Sequence, residues 1–124
     1  MEVPSFLVRR FYVVGSLRNT ETGFRLQARN PMGGGTLVGI GRLAVDGRRI
    51  ALDSVSALRD GDASPIRAVD VSRLRPIKVA AGDVVTLRVE GEPLAAGEHR
   101  LDVELFELNL GALRFAIRDR VAAG

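Results

Sequence analysis

The chain has 124 residues, 46% of them hydrophobic, which is enough for one domain spanning residues 1–124 with its own core. Its 18 basic and 15 acidic residues leave a net charge of +3, but they are interleaved, so the concentrated basic stripe of a nucleic-acid binder is missing. There is no Cys, hence no disulfide framework and no thiolate chemistry, and no apolar run reaches the ~18 residues of a membrane span.

The N-terminal Phe6-Leu7-Val8-Arg9-Arg10 is too short and too charged for a signal-peptide core, and a cytoplasmic protein is expected. From there the chain alternates with period two between Gly, Asp and Pro punctuation. Residues 10–14 read as a first strand. Residues 23–29 form a second, with Phe24, Leu26 and Ala28 on one face and Arg25, Gln27 and Arg29 on the other, joined to the first through a turn at residues 20–23. Pro31 offers no N–H to a sheet ladder and ends this strand. The loop that follows holds Gly33, Gly34 and Gly35, whose entropy loss places all three outside any element. No Lys-Ser/Thr ending follows them, so this is not a phosphate loop. A loop that orders against a partner and a passive tether are both open readings.

Residues 37–46 and 48–52 form a hairpin, because Asp46-Gly47 supplies the positive-φ pair of a type I′ turn. Residues 53–65 are turn-rich and give no clear element. Residues 66–71 read as a short strand. Residues 84–90 form another, with Val85, Leu87 and Val89 facing one way. Gly97 closes a turn into a strand at residues 99–107 with Leu101, Val103 and Leu105 inward; after Gly111, Leu113, Phe115 and Ile117 line the last strand. Roughly seven to nine short strands at this spacing predict an all-β fold, an antiparallel β-sandwich of jelly-roll or immunoglobulin-like type.

Little in the chain promises chemistry. His99 is the one histidine, and the converging histidines of a β-barrel metal site cannot be assembled. A structural role at the strand entrance is the simpler reading. Ser54, Ser56 or Ser64 could be combined with His99 on paper, yet none sits on a strained elbow or beside an oxyanion-hole pattern. Asp102 and Glu104 lie about 7 Å apart on one strand, a spacing compatible with glycosidic acid–base work. A solvated face balanced by Arg100 is the simpler reading, and the one expected. Five Phe and one Tyr are too few for the exposed aromatic row with which a carbohydrate-binding module stacks on sugars.

Read in order, Phe11 through Leu17-Arg18-Asn19, Gly23-Phe24-Arg25-Leu26, Arg29-Asn30-Pro31, Val45-Asp46-Gly47 with Ile50, and Leu94 through Gly97-Glu98-His99 with Leu101 and Val103 make a recognisable set. This set resembles the small β subunit of bacterial C-glycoside deglycosidases. The resemblance implies a non-catalytic β subunit that completes a larger α subunit of sugar-isomerase-like barrel fold. That partner would hold a divalent metal, manganese, and cleave the C–C bond of a flavonoid-type 3-oxo-C-glycoside by β-elimination. The present chain would then carry no catalytic, metal or cofactor-binding residue, show no lyase activity alone, and meet its partner through Arg18, Asn19, Arg29, Asn30, Pro31 and Met32. A stand-alone carbohydrate-binding or immunoglobulin-like interaction module is the alternative.

Overall fold

A computed structural model describes residues 1–30 and 33–122. Among the described residues ten strands form two stacked antiparallel sheets, the all-β sandwich that the alternation predicts, with one more strand than the upper expectation. In the first sheet β1 (Arg18–Asn19), β2 (Gly23–Arg29), β8 (Val84–Glu90), β5 (Val55–Arg59) and β6 (Ile66–Arg67) lie side by side in that order. In the second, β10 (Gly111–Val121) pairs β9 (Gly97–Glu107), which pairs β3 (Gly35–Val45); the far side of β3 carries β4 (Arg48–Arg49) and β7 (Ile77–Val79). The chain changes sheet after β2, β4, β6, β7 and β8, so residues far apart in sequence share one core.

That core is aliphatic. Leu17, Leu43, Leu101, Val8 and Val55 are its largest fully buried side chains, and Phe24, Leu26, Val85, Leu87 and Val89 fill the facing layer. Side chains in a strand alternate faces, so each inward set follows from the period-two pattern. The Asp46-Gly47 turn is as expected, with φ of 51° and 83° at its two residues.

Four readings are corrected. Residues 10–14 are not a strand: α1 (Ser5–Phe11) occupies the start of the chain, packed on β10 and β2. Val8 and Tyr12 stand four residues apart and are both buried, a helical spacing that the short apolar run hid, while Phe6 is left 71% exposed. Only Tyr12, bridging Ala28, and Val13, whose N–H donates to Gln27 O at 3.0 Å, keep the extended pairing expected there. The hairpin partner of β2 is therefore the two-residue β1. Second, residues 53–65 contain β5, whose Val55 and Ala57 alternate into the core. Third, the strand at residues 66–71 ends at Arg67 and becomes a 3-10 turn over Ala68–Asp70. Fourth, Gly35 does enter an element, pairing with Val79 as the first residue of β3. Pro31 and Met32, with the strand end assigned to Pro31, lie outside the described residues.

Two further glycines serve the second sheet. The Phe106 ring lies across β3 at Gly39 and Gly41, where an added Cβ would meet it at 3.0 and 2.5 Å. The β3–β9 register shifts at the same place, between Leu37 and Gly39 and between Ile40 and Arg42.

Candidate functional site

One end of the sandwich opens into a cleft of about 480 Å³ between the two sheets. Phe24, Val89 and Glu90 contribute from the first sheet, the β3–β4 hairpin from the second, and residues 91–95 form an outer wall. His99, on the inward side of β9, anchors that wall. Its Nδ1 lies 2.6 Å from Asp46 Oδ2 and its Nε2 lies 2.7 Å from Ala95 O. The type I′ turn brings Asp46 to this position. Its backbone N–H donates to Arg100 O at 2.8 Å, and Oδ1 accepts the Arg100 N–H at 2.9 Å. That backbone donor, with His99 next, holds the Asp46 carboxyl below the usual carboxylate range. The Ala95 carbonyl, followed by Asp46, pushes the His99 imidazole above its ordinary value.

Ser54 lines the same cleft as His99, the loop serine and the histidine that the sequence could combine. They do not form a catalytic pair. Ser54 Oγ donates to Ala51 O at 2.6 Å, and both His99 nitrogens are already engaged.

Asp102 and Glu104 are bound up elsewhere. Arg100 pairs with Asp102 at 3.1 Å, as the solvated-face reading expects. Glu104 instead meets Arg114 of β10 at 2.5 Å, directly across the strand pair. No group of three His, Cys, Asp or Glu side chains that could hold a metal ion occurs among the described residues.

The expected interface residues separate into two places. Arg18 and Asn19 adjoin the start of β2, Arg29 is its last residue, and Asn30 follows it, so the pairs sit at opposite ends of one strand. Both asparagines hold the fold. The Asn19 side chain donates to Leu94 O at 2.9 Å and accepts the Leu94 N–H at 2.8 Å. Asn30 donates from its side chain to Val79 O at 3.0 Å, and its carbonyl accepts the Gly82 N–H at 2.7 Å. Arg18 and Arg29 are exposed. Pro31 and Met32 fall outside the described residues.

One polar cluster escaped the sequence reading. Tyr12 donates its phenolic hydrogen to Asp119 Oδ2 at 2.6 Å, and the N–H groups of Gly15 and Leu17 donate to the same carboxylate. Burial, with the Asp119 bond second, pushes the Tyr12 phenol well above its ordinary value. A signal was present: Asp119 shares the inward parity of Phe115, Ile117 and Val121 on β10, and an acid at such a position must find donors.

No helix among the described residues is long and apolar enough to cross a membrane. Residues 7–122 match the family model described as hydroxymethylglutaryl-CoA reductase, N-terminal domain. No curated protein matches the chain. The family match covers nearly the whole sequence, so the chain belongs to that family. It corrects the resemblance to the β subunit of C-glycoside deglycosidases, and with it the assignment to a C–C lyase of flavonoid glycosides. The pieces that carry that resemblance are each only a few residues long, whereas the family match spans residues 7–122. The barrel partner and its manganese rested on that resemblance and lose their support.

Proposed function

We propose that this member of the hydroxymethylglutaryl-CoA reductase N-terminal domain family is a non-catalytic β-sandwich domain that works with the catalytic part of such a reductase. The match over residues 7–122 carries the reading. The state of the chemistry-bearing side chains supports it. Asp119 is taken by Tyr12 and backbone N–H groups, His99 by Asp46 and Ala95, Glu104 by Arg114, and Ser54 by Ala51. Groups committed in this way orient a fold; a reacting carbonyl needs a proton donor free to approach it.

Two measurements on the purified chain test the proposal. Incubated with hydroxymethylglutaryl-CoA and a hydride donor, it should give no turnover. Mixed with the catalytic reductase polypeptide of the same organism, it should co-elute in size-exclusion chromatography with light scattering. Turnover by the chain alone would refute the non-catalytic role, and separate elution would refute the partnership in favour of an independent interaction module.

A further inference from the structure

We propose that His99 is a pH-operated latch, holding the outer wall of the cleft against the β3–β4 turn while its ring carries two protons and releasing it when one is lost. The inference stands on the local geometry and is independent of the proposed function.

Both ring nitrogens face oxygen acceptors, Asp46 Oδ2 at 2.6 Å and Ala95 O at 2.7 Å. A peptide carbonyl has no hydrogen to give, and an ionised carboxylate has none either. Both contacts are hydrogen bonds only if both nitrogens carry hydrogens, which makes the ring an imidazolium. A neutral ring has one N–H and must give up one contact. The charge-assisted bond to Asp46 is the stronger, so Nδ1 keeps its hydrogen and the Nε2 lone pair is left facing Ala95 O.

The wall is built to respond there. Gly91 and Gly97 bound the segment at φ of 151° and 117°, conformations that leave its ends to glycine alone. Asn19 clamps Leu94 on both its N–H and its C=O, so release at Ala95 leaves that clamp as a pivot. The His99 side chain is only 11% exposed, whereas Asp46 is half-exposed, so water reaches the pair from the Asp46 side.

The surrounding charges come from every neighbouring element. Asp46 lies on the β3–β4 turn, Arg48 and Arg49 on β4, and Glu90 and Glu92 at and beyond the end of β8, all lining the cleft. Asp119 is the register partner of His99 on β10, its carboxylate already taken by Tyr12. Arg118, also on β10, acts on Asp46. Of all these groups, the contacts to Ala95 and then Asp46 act most strongly on the ring, against its burial. These favour the charged ring and move its titration above the ordinary histidine value.

NMR of the whole chain between about pH 5 and pH 9 tests the latch, following the His99 ring nitrogens with the amides of Leu94, Ala95, Ala96 and Gly97. Both ring nitrogens should be protonated near pH 6, with a midpoint above that of free histidine. The loop amides should shift with the same midpoint and gain fast motion on its basic side. Asp46→Asn should lower the midpoint while keeping the turn, since Asn-Gly suits type I′ geometry. His99→Gln should abolish the pH dependence of the loop. A neutral ring near pH 6, loop amides that ignore the ring's titration, or an unchanged midpoint in Asp46→Asn would each overturn the proposal.

Discussion

Gly23 has no room for a methyl group. A Cβ there would run into Val89 O and approach Gly91 N to 3.0 Å, because the first residue of β2 lies flat against the end of β8. Relieving that overlap means moving backbone in a central strand pair. Gly23→Ala should therefore lower stability by about 1–3 kcal/mol, read as an earlier midpoint in chemical denaturation; an unchanged midpoint would show that the strand end yields freely. The sequence marks Gly23 only as the close of a turn. The oxygen it must avoid belongs to a residue far along the chain, and nothing within β2 announces it. His99 shows the same division. Its place at a strand entrance suggests a structural role, but Asp46 and Ala95 become its partners only when the β3–β4 turn meets β9.

The β9–β10 hairpin depends on one side chain. Glu107 Oε2 accepts the Thr36 N–H at 2.9 Å, and Oε1 accepts those of Asn109 at 2.8 Å and Leu110 at 2.9 Å. The Thr36 donor first, and the turn N–H groups after it, hold this carboxyl below the usual glutamate range. A depressed folded-state pKa contributes stability that is present above the unfolded value and lost as pH falls through the folded one. Glu107→Gln should cost about 1–3 kcal/mol near neutral pH, and the gap from the parent chain should close as the solution is acidified below about pH 4. Thermal unfolding at several pH values checks both statements, and a pH-independent gap would deny the carboxylate its role. Among the elements, β2, β8, β9 and β10 were legible because their inward positions alternate without interruption. The alternation of β5 was equally regular, but Asp53, Gly61 and Pro65 around it read as one long turn. The helix α1 was not legible: two buried residues four apart are too few to establish a helical period.

Tyr12 and Asp119, 107 positions apart, tie the region after the N-terminal helix to the last strand. Their bond and the N–H groups of Gly15 and Leu17 gather the two ends of the described chain on one buried carboxylate. Tyr12→Phe removes the phenolic donor and leaves the acid short of one partner. A loss of about 1–3 kcal/mol in equilibrium unfolding is expected, with the urea slope unchanged because the surface buried stays the same. A variant as stable as the parent would mean that the backbone donors suffice.

Chemistry within a few residues settled the β character of the chain, its inward faces and the Asp46-Gly47 turn, since strand alternation and positive-φ preferences act over one or two peptide units. Pairings across the sandwich came from the folded chain: Glu104 with Arg114, Tyr12 with Asp119, His99 with Asp46 and Ala95, and Phe106 over its two glycines. Each joins strands or turns whose neighbours are chosen by long-range closure, and a polar side chain's partner is whatever that closure places within about 3 Å of it.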